Sequence, residues 1–395
     1  MVFKTNTIYC GDCKKVLAQF PDESVDLIYV DPPFFSNKQY EVLWGDGYEK
    51  RAFEDRWKGG IENYIAWMED KIKECHRVLK DIGSMYLHCD YHANAHLRIL
   101  MDGVFGENNF RNEIIWCYGG GGIPKKDFPR KHDTIFRYVK DVRKFKKNGV
   151  FNKIYRPYGE WTKKHEPRRN LTAGGGKLNM ERGIPINDWW SDLKSLTSYQ
   201  KEWLGYPTQK PESLLERIIN VSSNPTNIIL DPMCGGGTTI AVAHKLGRQW
   251  IGIDVSPTAC KLMVNRMRKL GVQISEKDII GLPKTLEELK AMQPFEFQNW
   301  VCEKLLARAS VRSTRDMGID GWLIDGRPLQ VKQSEKVGRN VIDNFETALR
   351  RAKKERGIIV AFSFSKGAYE EVARSKSHDG LAIELKTVKE ILKEE

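Results

Sequence analysis

Short apolar runs alternate with helix-period stretches through the first half of the chain. Val25-Asp26-Leu27-Ile28-Tyr29-Val30 reads as a buried strand. A helix is predicted near Asn63–Leu79, a strand near Ser84–His88, a helix over Asn94–Val104 and a strand at Glu113–Cys117. Near Asn227–Leu230 a further strand enters Asp231-Pro232-Met233-Cys234-Gly235-Gly236-Gly237-Thr238-Thr239. Helix Ile240–Leu246 follows, then strand Gln249–Ile253, ending at Asp254. Strands alternating with helices predict βαβ units and a mostly parallel sheet. A new segment begins after Ile280-Gly281-Leu282-Pro283, with a helix candidate at Thr285–Met292 leading into Phe295–Ala309. The expected division is one domain over 1–280, a linker at 281–292 and a smaller α/β domain over 293–395.

Composition adds a partner. The chain has 395 residues, 41% hydrophobic, enough for packed cores in two or three domains. Its formal charge of +12 favours a polyanion, nucleic acid first and an anionic membrane surface second. No run approaches the ~18 apolar residues of a spanning helix. The first residues lack the apolar core of a signal peptide. A soluble, cytoplasmic protein is expected. Lys140 to Arg182 holds 13 Lys/Arg against 4 Asp/Glu, interleaved with Phe145, Phe151, Tyr155, Tyr158 and Trp161 and the loose glycines Gly174-Gly175-Gly176. This basic insert reads as a nucleic-acid contact, its aromatics stacking on bases or packing a small core of their own. Cys10 and Cys13 form a lone C-x-x-C without the second pair of a zinc site, so buried free thiols are the expectation. His88, His92 and His96 are spaced to align on one helix face, which reads as a solvated or hydrogen-bonded face.

Two loops carry chemistry. After the first strand, Asp31-Pro32-Pro33-Phe34 sets a carboxylate, a rigid carbonyl and a flat ring at one strand tip. Each proline fixes its φ and removes an N–H donor. The result is an acceptor-only pocket beside a ring, suited to a flat group bearing an NH₂. The glycine-rich turn Asp231–Thr239 lets backbone approach a ligand at a helix start. It is neither a Walker loop nor G-x-G-x-x-G. Asp254 at the next strand tip suits a ribose diol. A nucleoside-containing cofactor follows.

Together these segments resemble the β-class of DNA amino-methyltransferases, in which the catalytic motif precedes the S-adenosylmethionine motif. Further segments match in order: Ile8-Tyr9-Cys10-Gly11-Asp12, Leu87-His88-Cys89-Asp90, Phe105-Gly106, Asn112-Glu113-Ile114-Ile115-Trp116, His132-Asp133-Thr134-Ile135 and Tyr206-Pro207-Thr208-Gln209-Lys210-Pro211. The resemblance covers about residues 1–270. It implies a Rossmann-like class I methyltransferase sheet with a target-recognition insert at about 140–205. It implies a cofactor site from Asp12, Asp31, Thr208, Gln209, Lys210, Pro211, Asp231, Met233, Gly235, Gly237, Thr238, Thr239 and Asp254. It also implies a flipped base stacked on Phe34, its amine held by Asp31 and the Pro32 carbonyl, with Pro33 completing the catalytic motif. Asp before Pro-Pro leans toward adenine over cytosine in this family. Phe34 stands where Tyr is commoner, Met233 where Phe is usual and Gly236 where Ser is usual. A vestigial methyltransferase that only binds DNA and an enzyme acting on RNA are the competing readings.

In the last segment, Gln330 and Lys332 share one face of a predicted strand, and Asp320 precedes them in Gly318-Ile319-Asp320-Gly321-Trp322. This is similar to the Mrr-like branch of PD-(D/E)xK nucleases, with Gln in place of Glu. Phe297-Gln298 sits where that family has Phe-Glu, and Ile358–Ser363 followed by Ala368 also fits. The resemblance implies a small restriction-endonuclease-like domain, Mg²⁺ at Asp320 and Lys332 near the attacking water. Double-stranded DNA is the expected partner of both parts, within a restriction-modification system. A homodimer and a nuclease fold that only binds DNA stay open.

Overall fold

The computed structural model describes residues 3–36, 39–43, 49–54, 59–119, 124–164, 180–197, 199–204, 208–309 and 318–393. Gly174-Gly175-Gly176, Tyr206 and Pro207 lie outside the described residues.

Among the described residues, twelve strands precede residue 255. They are β1 (Thr7–Cys10), β2 (Val25–Val30), β3 (Gln39–Leu43), β4 (Glu49–Glu54), β5 (Leu79–Cys89), β6 (Phe110–Cys117), β7 (His132–Val139), β8 (Tyr155–Arg156), β9 (Ile184–Pro185), β10 (Trp189–Trp190), β11 (Ile228–Asp231) and β12 (Gln249–Asp254). Eight of them form one sheet in the order β1-β12-β11-β2-β5-β7-β6-β10. All run the same way except β7, which is antiparallel to both neighbours. The antiparallel β3–β4 and β8–β9 pairs stand apart from it.

Both faces of the sheet are covered, as a parallel sheet requires. Alternation along each strand sorts the side chains. Tyr9, Ile28 and Leu230 face one core with helices Gly60–Val78 and Asn94–Phe105. Ile8, Leu27, Tyr29 and Ile229 face the other, with helices Glu212–Ser222, Thr238–Lys245 and Pro257–Lys269. The predicted strand at Ser84–His88 is longer, beginning at Leu79 directly where the preceding helix stops. The three histidines do not share a helix face. His88 is fully buried on β5, His92 sits in the turn after it, and His96 is on the next helix. The i, i+4 spacing crosses a strand end, where helical periodicity has no meaning. Cys10 ends β1 and Cys13 opens the following helix; both are buried and free. Burial pushes the Cys13 thiol up to about 12.

The basic insert returns to the sheet. Its aromatics divide between packing and exposure. The buried Arg137 guanidinium of β7 lies 5.3 Å from the Phe145 ring and 4.5 Å from the Phe151 ring, while Trp161 is mostly exposed. Trp190 on β10 and Leu193 are buried in the second core.

The chain after residue 280 builds a second sheet. β13 (Arg308–Ala309), β14 (Gly321–Trp322), β15 (Pro328–Lys332), β16 (Arg356–Ala361) and β17 (Ala382–Thr387) lie in that order, β15 to β17 parallel. Helices Pro294–Lys304 and Val388–Lys393 cover one face and Arg339–Arg351 and Lys366–Asp379 the other. In the segment read as a linker, helix Leu286–Ala291 places Leu289 in the core against this second sheet. The first sheet's edge meets the residue just before that segment: Ile280 N–H donates to Ile8 O at 3.0 Å and Cys10 N–H to Ile280 O at 2.7 Å. Lys261 also pairs with Glu303. Among the described residues, no helix is long and apolar enough to cross a membrane.

Arg137 offers a test of how this sheet is stabilised. Among the described residues its Nε is buried without a hydrogen bond, its Nη2 reaches only Ser84 Oγ at 3.4 Å, and burial lowers its pKa, while its guanidinium packs on two rings. Arg137→Met is expected to keep stability within about 1 kcal/mol of the parent, whereas Arg137→Ala loses about 3 kcal/mol through the space it opens. Urea unfolding of the two variants measures the difference.

Candidate active site

β2 ends at Val30, so Asp31 leaves the sheet at its carboxyl edge, between β11 and β5. Asp31 Oδ2 accepts a hydrogen bond from Lys210 Nζ at 2.6 Å. Lys210 is only 8% exposed, and its ammonium lies 4.8 Å from the centre of the Phe34 ring. Asp31 Oδ1 is buried and accepts no hydrogen bond from the described residues. One carboxylate oxygen is anchored and the other is left as an open acceptor. An unmet buried acceptor costs about 1–3 kcal/mol, which a bound donor removes.

The loop that carries this pair is held tightly. Tyr64 OH donates to Pro33 O at 2.7 Å, and the Tyr64 ring packs on Phe35 at 5.7 Å. Phe35 adopts φ +61°, and Thr208, two residues before Lys210, also has φ +61°. A left-handed backbone is unfavourable for both residue types and persists where surrounding contacts enforce it. Gln209 supplies such contacts. Its Oε1 accepts from Leu204 N–H at 2.9 Å and its Nε2 donates to Glu202 O at 2.7 Å.

Behind Phe34 stands a buried polar chain. The His88 ring lies 5.7 Å from Phe34 at a 30° tilt. Tyr29 OH is 2.8 Å from His88 Nδ1, and His88 Nε2 is 3.1 Å from Asp133 Oδ2. Tyr118 OH donates to Asp133 Oδ1 at 2.8 Å. Burial alone raises the Asp133 carboxyl; the hydrogen bond and charge of His88, helped by Lys210 and Tyr118, outweigh it and hold the group below its ordinary range.

The glycine turn leaves β11 two strands from β1. Gly235 and Gly237 take φ +51° and +76°, and a Cβ at Gly237 would stand 2.9 Å from Met263 Cγ. Asp231 is enclosed by its own turn: Thr239 OH donates to Oδ2 at 2.5 Å and Met233 N–H to Oδ1 at 3.1 Å. Asp254, at the tip of β12, accepts from Gly235 N–H at 2.8 Å and Ser256 N–H at 2.9 Å. Arg266 braces the turn from below, donating to Gly236 O at 3.1 Å and Thr238 Oγ1 at 3.0 Å, with Glu212 as its counter-charge at 2.9 Å. Asp12 caps the short helix after β1 through Lys15 N–H, with Lys71 Nζ 3.8 Å away.

The structure therefore brings Asp31, Phe34, Lys210, Asp231, Asp254 and the glycine turn to one sheet edge. Thr238, Thr239 and Gln209 spend side-chain hydrogen bonds inside the protein. Burial pushes the Asp231 carboxyl up to about 7, with Asp31 and Asp254 adding to the rise. Burial also raises Asp254 despite its N–H donors. An edge this rich in carboxylates suits a cationic ligand with a diol, and each Asp254 oxygen keeps a lone pair for one. The donor set fits S-adenosylmethionine, whose sulfonium is positive and whose ribose bears two hydroxyls.

The braces Tyr64, Arg266 and Glu212 carried no signal in the sequence. His88 and Asp133 lay inside segments of the resemblance, but nothing in their spacing revealed that they meet.

In the second unit, Asp320 N–H donates to Leu329 O at 2.7 Å, and Asp320 Oδ2 accepts from Val331 N–H at 2.8 Å. Asp320 and the Gln330–Lys332 strand are thereby held side by side. Gln330 is buried, and its Oε1 has no hydrogen bond among the described residues. Gln298 Nε2 donates to Asp320 O at 2.9 Å. A separate carboxylate group, Asp343, Glu346 and Glu371, is taken up by arginines. Arg339 meets Glu371 at 2.7 Å and Arg374 meets Glu346 at 3.0 Å.

An α/β sheet with a carboxylate, a stacking ring and a glycine turn at its carboxyl edge defines a nucleotide-handling transferase fold. Residues 25–265 match the DNA methylase family, and the chain belongs to it. Residues 289–393 match the restriction endonuclease family, so a methyltransferase unit is fused to an Mrr-like nuclease unit. Similar curated proteins include the DNA adenine methyltransferase YhdJ of Escherichia coli K12, 33% identical over 67% of this chain and 83% of that one. The type II methyltransferases M.BamHI of Bacillus amyloliquefaciens and M.HinfI of Haemophilus influenzae are 31% and 29% identical. They align over 73% and 70% of this chain and 62% and 72% of theirs.

Asp231 yields a pH test. A carboxyl raised by folding contributes full stability below its unfolded value near ~4, and loses it as pH rises through the folded value of about 7. Asp231→Asn removes that loss and keeps the Thr239 contact. Relative to the parent, the variant is expected to gain stability steadily between about pH 4 and about pH 7. Urea midpoints of both proteins across this range provide the comparison.

Proposed function

We propose that this chain methylates the exocyclic amine of a flipped base in double-stranded DNA, adenine in preference to cytosine. The observation that carries the reading is Asp31: one oxygen pinned by Lys210, the other buried and unmet. S-adenosylmethionine supplies an electrophilic sulfonium methyl when bound. The residues that would hold it are Asp12, Asp231, Met233, Gly235, Gly237, Thr238, Thr239 and Asp254, with the Thr208–Pro211 segment bordering the site.

The protein's own part is positioning and electrostatics. Phe34 offers its ring to the extruded base, backed by His88. Stacking of this kind is worth about 1–3 kcal/mol, comparable to the cost of extrusion. Asp31 Oδ1 and the Pro32 carbonyl accept the two amine hydrogens, which turns the nitrogen lone pair toward the cofactor side of the edge. Lys210 holds Asp31 Oδ2 and fixes the rotation of the carboxylate. Asp31 Oδ1 then stands where the proton lost by the amine can be received. The Asp-Pro-Pro motif, and a relative named as an adenine methyltransferase, favour adenine.

A second activity has its own observation. Gln330 Oε1, buried and unbonded beside Asp320, is an acceptor suited to a hard cation. Asp320 and Gln330 would hold Mg²⁺, and Lys332, on the same strand face as Gln330, would lie near an attacking water. We read the second unit as a Mg²⁺-dependent DNA endonuclease in a restriction-modification system.

Asp31→Ala is expected to lower labelled-methyl transfer to DNA by about 10³-fold, the scale of one lost transition-state contact, while cofactor binding measured by calorimetry persists. Undiminished transfer would sink the assignment. Modified-base sequencing of DNA from cells expressing the protein reads out the base.

Lys332→Ala is expected to abolish Mg²⁺-dependent cleavage of unmethylated DNA and leave methyl transfer unchanged. DNA that the parent binds but never cuts would instead mark the second unit as a binding module.

A further inference from the structure

The loop between β6 and β7 is not used by the chemistry above. β6 runs parallel to β2, so this loop leaves the sheet at the edge that carries Asp31. Its base is closed by Tyr118 N–H donating to Lys131 O at 2.9 Å. The same Tyr118 reaches Asp133, which bonds His88, which packs on Phe34. The loop is thus rooted three contacts from the stacking ring.

Its outer part reads Pro124-Lys125-Lys126-Asp127-Phe128-Pro129-Arg130-Lys131. Every residue from Pro124 to Arg130 is exposed, and Phe128 is 94% exposed. A lone apolar side chain on a surface is ordinary. This one differs in its setting. Four cations flank it against one carboxylate, so the loop is attracted to phosphates. Pro129 fixes its own φ and restricts the backbone of Phe128 before it to extended conformations. Arg130 lies over the Tyr91 ring at 4.4 Å, which anchors the loop beside the turn after β5.

We propose that Phe128 is a wedge that enters the base stack of duplex DNA where the target base has left it. The inference rests on the flipped-base reading of Asp31 and Phe34. A base swung out leaves an apolar gap the thickness of one ring, and proteins that deform duplexes fill such gaps with apolar side chains. Phe34 would stack the extruded base, and Phe128 would replace it in the helix. Lys125 and Lys126 would sit on the neighbouring phosphates.

The test uses the full chain, S-adenosylmethionine and a duplex carrying the site found by modified-base sequencing. A 2-aminopurine at the target position reports extrusion, and labelled-methyl transfer to the natural base reports turnover. Phe128→Ala is expected to suppress the fluorescence rise and to lower kcat/KM by about tenfold or more on the fully paired duplex. On a duplex with an abasic position opposite the target, where extrusion is already favoured, the variant is expected to recover to within about threefold of the parent. Lys126→Ala is expected to weaken both duplexes alike, because it removes only a phosphate contact. Equal impairment of Phe128→Ala on both duplexes, or no impairment on either, overturns the wedge while the methylation reading stands. A parent protein that transfers no methyl to any duplex overturns both.

Discussion

The Lys210–Asp31 ion pair is the constraint on which the catalytic edge depends. It joins residues 179 positions apart and closes the Asp-Pro-Pro loop against the segment preceding the second half of the sheet. Burying two charges is favourable only when each is met by the other in good geometry. That condition fixes the rotation of Asp31 and leaves one oxygen facing the site. Strained backbone at Phe35 and Thr208 borders the pair on both sides, and Tyr64 and Gln209 hold the strain in place. Rigidity at this point is built from three stretches far apart in sequence: the Asp31–Phe35 loop, Tyr64 and the Thr208–Lys210 segment.

The second layer of the site is electrostatic. Asp31, Asp231 and Asp254 converge because parallel strands bring their carboxyl ends to one edge; burial pushes the Asp231 carboxyl up to about 7, and its two acidic neighbours add to the rise. The glycine turn is braced from beneath by Arg266 and Glu212, so its backbone can be open toward a ligand while its underside is fully engaged. The buried chain from Tyr29 through His88 to Asp133 and Tyr118 serves the ring of Phe34 in the same way.

Much of this was legible in the chain. Val25–Val30 is read off the sequence residue for residue, because a short apolar run before Pro-Pro has few other outcomes. The β-turn-helix-β unit around Asp231 was legible for the same reason: glycines and apolar runs mark its boundaries. The Asp31 pocket was legible as chemistry, but its counter-charge was not, since nothing in spacing reveals that Lys210 reaches back across the fold. The histidine spacing misled because periodicity carries no knowledge of where a strand stops. The insert's aromatics were ambiguous: Phe145 resolves toward packing near a buried guanidinium on β7, while Phe151, 4.5 Å from the same guanidinium, stays 46% exposed. Strand alternation set Gln330 and Lys332 on one face of a strand, and the place of Asp320 beside them was what the nuclease resemblance implied.

One feature of the sheet bears on how the protein meets others. An open parallel sheet normally ends in strands whose backbone groups invite a further strand. Here one border is capped by Ile280, which bonds to both Ile8 and Cys10, and the other ends in the two-residue strand Trp189–Trp190. Among the described residues, neither margin of this sheet presents a long ladder of open donors and acceptors, so strand addition is disfavoured at both of its ends.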